Sequence, residues 1–368
     1  MHPRADFSRH YCIPPFVEAG IACLGLGTRC LNNDITAIHE ELIIDVAAGV
    51  KYLKETQGCD NVLLFGNSGG GSLFSFYQAQ AQKPQGQRID TTPAGDKTKL
   101  NQVEMIPADG YLAISSHKGE GLILQECIDP SVTDESNPSL TNPTLDMYNV
   151  DNGFAEPPSP SSYTPKFVSS YRSAQHARVA KLDGMARAMI DEARHNEMLY
   201  KGSEGKLGFT DRQRIGRLGA TERVMVINRT MANLNYTDPS LDPSDRDYGS
   251  LFSNRPDLMN WQYIGFGRIV RPEAWLSTWS GISSNANMLT NLAGLQVPVL
   301  MVNVTRDKEI YPKADAEVMW DAVKVEDRTF LKINAEHYFE PEFGAKTAPD
   351  VHKLMKEVVP WVLERFGQ

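Results

Sequence analysis

The sequence predicts an α/β chain: a mainly parallel sheet with helices on both faces, carrying a large, mostly helical insertion. Three observations predict it. Short apolar runs at 21–26, 61–65 and 111–115 alternate with helical patterns over the first third of the chain. The alternation returns at 297–304 and 328–333 and closes on a helical stretch from Val351 to Phe366. Between these parts lies a long segment of different character, rich in Pro, Ser, Asn and Asp from Asp129 to Pro165. Strands separated by helices become parallel neighbours, and a parallel sheet is covered on both faces.

The elements follow in order. Ile21 to Leu26 is a short apolar run closed by Gly27-Thr28, which suits a buried parallel strand. Leu42, Val46, Val50 and Leu53 recur at helical spacing and form one apolar stripe, which Gly58 ends. Asn61 to Phe65 is the next strand, Leu73 to Gln82 a helix, and Tyr111 to Ser115 a third strand. Lys166 to Tyr200 has the pattern of a long helix, with Val179, Leu182, Met185, Met189 and Ile190 apolar and Gly184 a point where it could bend. Val297 to Val304 is a strand whose proline, Pro298, stands near its start, where a lost donor is tolerated. Arg328 to Ile333 is the last strand. The expected organisation is a core of residues 1–116 and 294–368, interrupted by a cap or lid at 117–293.

Composition narrows the function. The 368 residues, 41% of them hydrophobic, are ample for a globular core. Lys+Arg 37 against Asp+Glu 46 leaves a net charge of −9, the wrong sign for holding a phosphate backbone, so no nucleic-acid partner is expected. No window of 18 apolar residues exists, and no membrane partner is expected. The start, Met1-His2-Pro3-Arg4, lacks the apolar stretch of a signal peptide. Cys12, Cys23, Cys30, Cys59 and Cys127 are odd in number and show no Cys-x-x-Cys spacing. That argues against a zinc cluster or a disulfide framework and for buried free thiols in a reducing cytoplasm. The expectation is a cytoplasmic protein with no metal and no cofactor.

One motif carries chemistry. Gly66-Asn67-Ser68-Gly69-Gly70 follows a strand and opens a helix, the setting that a Gly-x-Ser-x-Gly nucleophile elbow requires. The serine must occupy a strained turn that lifts its hydroxyl above the sheet, and the flanking glycines remove side chains that would collide there. The lysine of a phosphate-binding loop is missing. A serine hydroxyl needs a base, and the base needs an acid to hold it. Asp307 follows the strand ending at Val304, and His337 follows the strand ending at Ile333. Both fall at the sheet edge where α/β sites collect. Glu309 and Asp315 are rivals for the acid; His117 and His352 are rivals for the base. The oxyanion hole needs two backbone N–H donors. Gly69 is one. Pro3 has no N–H, so Arg4 is the expected second.

Ser68 in its elbow, with Asp307 and His337 in that order, resembles the α/β-hydrolase superfamily over 1–116 and 294–368. His2-Pro3 is similar to the family's His-Gly oxyanion motif, and Gly27-Thr28-Arg29 stands where many members have an Asp-x-Arg-Gly turn. The family carries two or three strands before the oxyanion loop, and this sequence begins at that loop. The strand at 21–26 is therefore expected near a sheet edge, covered by an upstream in-frame extension or by a subunit contact in a homodimer. A serine nucleophile argues against epoxide hydrolases and haloalkane dehalogenases, which use an aspartate. The resemblance implies a carboxylic ester hydrolase acting on a small-to-medium, fairly apolar ester through an acyl-enzyme on Ser68. C–C bond hydrolysis of a dienoic acid, thioester or lactone cleavage, and a non-catalytic ligand-binding relative are the alternatives. The cap is expected to supply the acyl pocket through Trp261, Trp275 and Trp279.

Overall fold

The computed structural model describes residues 1–341, 344, 345 and 347–367. Its main sheet has four strands, β1 (Leu63–Asn67), β2 (Gly110–Ile114), β5 (Val299–Val304) and β6 (Arg328–Ile333), in the order β1-β2-β5-β6. All three pairings are parallel. The two central strands are buried along their whole length. That is why both read as unbroken apolar runs rather than alternating ones. Side chains still alternate between faces. Tyr111, Ala113, Val299 and Met301 join one core layer with helices α2 (His39–Lys51) and α3 (Gly69–Ala81). Leu112, Ile114, Leu300 and Val302 join the other, under α1 (Ile13–Glu18) and the closing helix Pro349–Phe366.

Between β2 and β5 the chain leaves the sheet. Helix α4 (Glu120–Cys127) comes first, and an irregular stretch follows. Then come α5 (Pro165–Gly202), unbroken through Gly184, and α6 (Phe209–Ala220). A two-residue antiparallel ribbon pairs β3 (Met225–Val226) with β4 (Ile269–Val270). This excursion has its own apolar cluster, including Leu124, Val179, Leu182, Tyr236, Trp275 and Trp279. It is tied to the rest through buried polar bonds: the His39 N–H donates to Ser277 Oγ at 2.9 Å, and Ser277 Oγ donates to Glu40 at 2.6 Å.

Two expectations need correction. Residues 21–26 do not form a strand; they run irregularly, and Ala22 to Gly25 are exposed. A strand is stable only against a partner, and β1 is the edge of the sheet. A cleft of about 330 Å³ flanks β1 and is lined by residues that include Phe16, Leu24, Val50, Leu63 and Phe65. An apolar run alone does not make a strand. The five thiols are free, but only Cys12, Cys30 and Cys127 are buried, while Cys23 is exposed. Among the described residues no helix is long and apolar enough to cross a membrane.

Candidate active site

Ser68 sits between β1 and α3 with φ +54° and ψ −124°, a conformation that L-residues rarely adopt. The turn is pinned by Ser68 N–H donating to Ile114 C=O at 3.1 Å, and by Gly71 N–H donating to Ser68 C=O at 3.2 Å. Gly66 shows why the motif needs glycine. A Cβ there would lie 2.5 Å from the Gly70 carbonyl carbon and the Gly71 nitrogen, both backbone atoms with nowhere to move. Gly70 in turn meets the Met1 carbonyl, 2.5 Å from where its own Cβ would be. Strand and helix approach closely enough to force the serine into its strained turn.

Asp307 and His337 arrive from the ends of β5 and β6. Their loops are stitched together by Thr305 N–H to Ile333 C=O at 2.9 Å and Arg306 N–H to Ala335 C=O at 3.2 Å. His337 Nδ1 donates to Asp307 Oδ2 at 2.7 Å, because a carboxylate can only accept. The other Asp307 oxygen accepts from the N–H groups of Glu309, at 2.8 Å, and Ile310, at 3.1 Å. Both side chains are buried. Burial works to lower the His337 pKa, but the Asp307 carboxylate outweighs it and holds the imidazole above its ordinary 6.5. Asp307 thus leaves Nε2 free to act toward Ser68.

The rival residues lie elsewhere. Glu309 is turned to Tyr236 and Leu251. Asp315 pairs with Lys118 at 3.0 Å and accepts from Tyr311 N–H. His352 is exposed on the closing helix. His117 is buried near the site, and burial, followed by the charge of His337, drops its pKa to about 3. Its Nδ1 accepts from the Gly119 N–H at 3.2 Å.

Ser68 Oγ has no hydrogen bond to His337 Nε2 among the described residues, and Ser68 is only 7% exposed. Hydroxyl–imidazole contacts of this kind often tighten only with substrate bound. The Tyr338 hydroxyl lies beside the Ser68 hydroxyl. Its ring stands edge-on to His337 at 4.4 Å and to Phe7 at 6.2 Å. The sequence marks Tyr338 only as the neighbour of His337.

Gly69 supplies the first N–H of α3, which has no acceptor within the helix. The second donor expected from Arg4 is already engaged: Arg4 N–H points to His2 Nδ1 at 3.2 Å, and Ala5 N–H to the same atom at 3.0 Å. The Arg4 side chain lies 3.6 Å from both Asp34 and Glu120, and its guanidinium sits over Trp279 at 5.3 Å. The tryptophans also differ from expectation. Trp275 is fully buried in the cap, its Nε1 donating to Asp183 at 2.8 Å, and Trp279 is fully buried beside it. Trp261 is half exposed, with the Arg229 guanidinium 4.1 Å from its ring centre. A cap of this size needs a core of its own, and the largest apolar side chains fill it first. No group of three or more His, Cys, Asp or Glu among the described residues is arranged to hold a metal ion.

A strained serine after the edge strand, an acid after the third parallel strand and a histidine after the fourth, in that chain order, decide the architecture. The fold is that of an α/β-hydrolase. No protein-family model matches the chain, and no curated protein matches it. Among solved structures, the chain overlaps a monoacylglycerol lipase from Paleococcus ferrophilus at 14% identity and a TM-score of 0.40, covering 98% of this chain and 93% of that one. It overlaps a putative non-heme bromoperoxidase, BpoC, from Mycobacterium tuberculosis at 12% identity and a TM-score of 0.40, over 97% and 91% of the two chains. MenH from S. aureus overlaps at 12% identity and a TM-score of 0.36, over 98% and 92%.

Proposed function

We propose that this chain, with its α/β-hydrolase fold, is a serine hydrolase that cleaves a carboxylic ester through an acyl-enzyme on Ser68. The observation that carries the reading is the strained Ser68 turn after β1, together with a histidine after β6 whose Nδ1 is held by Asp307 at 2.7 Å. His337 Nε2 takes the Ser68 proton as Oγ attacks the ester carbonyl carbon. The carbonyl electron pair moves onto oxygen, and Gly69 N–H stabilises it. On collapse the C–O bond to the alcohol breaks, and His337 returns the proton to the leaving oxygen. Water, deprotonated by the same imidazole, then releases the acid and frees Ser68.

Ester cleavage is preferred because it asks nothing beyond these groups. The buried setting of Ser68, with the Tyr338 ring against His337, favours a small-to-medium, fairly apolar substrate. The test is reaction with a fluorophosphonate probe. The wild type should be labelled at Ser68 and Ser68→Ala should not, with both proteins unfolding at the same denaturant concentration. An unlabelled wild type would overturn the reading.

A further inference from the structure

Gly69 N–H lacks the second donor expected beside it, because the Arg4 and Ala5 N–H groups both turn to His2 Nδ1. In enzymes that pass through a tetrahedral alkoxide, losing one such donor slows turnover by about 10²–10³-fold. A donor from another part of the chain is therefore needed near Ser68.

Tyr338 stands where that donor is needed. Its ring lies edge-on to Phe7 at 6.2 Å, and Phe7 packs against His2 at 5.0 Å and His10 at 5.1 Å. His10 Nε2 is 3.2 Å from Asn67 Oδ1, and His2 Nε2 is 2.9 Å from where a Gly69 Cβ would be. These ring contacts seat Tyr338 against the two residues that flank the nucleophile, and its hydroxyl lies beside the Ser68 hydroxyl. The turn that carries it is fixed from below. Phe339 N–H donates to Glu336 C=O at 3.0 Å, and Tyr338 N–H donates to Glu340 Oε2 at 2.9 Å. Phe339 takes φ +56°, rare for a bulky L-residue, and is buried in the core layer under the closing helix. Such strain persists only where packing over-determines it. With Phe339 anchored, Tyr338 is held edge-on to His337 at 4.4 Å. Burial holds the phenol above its ordinary 10, so it keeps its proton at neutral pH and donates.

We infer that Tyr338 is a catalytic residue whose hydroxyl completes the oxyanion hole with Gly69 N–H. The carbonyl oxygen is bonded to the carbon that Ser68 Oγ attacks, so a donor beside Oγ reaches both oxygens. In the resting enzyme the phenol O–H points to Ser68 Oγ. As the C=O electron pair moves onto oxygen, that oxygen becomes the stronger acceptor and the O–H turns to it. No proton is transferred, and the phenol keeps its hydrogen when the intermediate collapses to the acyl-enzyme. The inference rests on the serine-hydrolase reading and adds a side-chain donor to it.

The experiment uses Tyr338→Phe, which removes one oxygen and keeps the ring against His337 and Phe7. With 4-nitrophenyl butanoate, kcat should fall by at least about tenfold and up to about 10³-fold, while KM moves by less than about threefold. Trifluoromethyl propyl ketone adds to the serine as a tetrahedral alkoxide, so its inhibition constant should rise by the same factor as kcat/KM falls. Urea midpoints check the fold, and Tyr338→Leu, which also lacks the hydroxyl, serves if the phenylalanine variant does not fold. A fall in kcat below about tenfold, with Ser68 still labelled by fluorophosphonate, would overturn this inference and leave the hydrolase reading standing. A large fall in kcat with an unchanged ketone inhibition constant would show that Tyr338 only positions Ser68, and would overturn it too. A wild type that neither labels nor turns over ester would overturn the hydrolase reading, and this inference with it.

Discussion

Replacing Glu309 by Gln should make the protein more stable at pH 8 while changing it little at pH 5. Glu309 is buried two residues beyond Asp307 and accepts from two cap groups, Tyr236 OH at 2.7 Å and Leu251 N–H at 3.0 Å. Neither donor carries a charge. Burial raises its carboxyl from 4.5 to about 7; the two hydrogen bonds oppose that rise and the Asp307 charge adds to it. Between those values the folded protein holds a proton that the unfolded chain has released. Stability is therefore present below 4.5 and lost as pH rises through 7. A rise of that size corresponds to roughly 3 kcal/mol. Glutamine occupies the same space without a charge, so its contribution does not change with pH. Urea unfolding of both proteins at the two pH values measures this directly. The difference between variant and wild type should move by about 2.5 kcal/mol in favour of the variant from pH 5 to pH 8. Any pH-independent loss from an imperfect hydrogen bond cancels in that comparison. A constant difference at both pH values would show that Glu309 keeps the same charge folded and unfolded, and would refute the argument.

Three further outcomes follow from the site. Asp307→Asn leaves His337 in the wrong tautomer and should lower kcat by about 10⁴ while the unfolding midpoint moves little, measured by ester turnover and denaturation. His337 must be neutral to accept the serine proton, so kcat/KM should fall as pH drops through a value above 6.5; a titration midpoint below 6.5 would contradict the Asp307 pairing. Gly66→Ala places a Cβ 2.5 Å from backbone atoms of Gly70 and Gly71. It should cost about 1–3 kcal/mol or more and abolish fluorophosphonate labelling even in the folded fraction, checked by denaturation and labelling rate.

The elbow and its two partners are legible in the sequence alone because each depends on local chemistry. Gly66 is demanded by a backbone approach within five residues, and Asp307 and His337 stand directly after runs apolar enough to be strands of the sheet. Residues 21–26 carry a strand's pattern without forming one, because a strand depends on a neighbour and the amino-acid pattern does not say which partner is present. Arg4 lacks the defect of Pro3, but the direction of its N–H is set by His2 Nδ1 folding back on the same turn. Aromatic content points the tryptophans to a pocket, whereas Trp275 and Trp279 go to the centre of the cap, where burial of the largest side chains holds that layer together. Nothing in the sequence singles out Glu120. Residues 2, 69, 117 and 120 meet at one point, which only the crossing of the N-terminal turn, α3 and α4 decides. Local strain and strand order are written along the chain; which polar groups face each other in the buried space between elements is decided by packing alone.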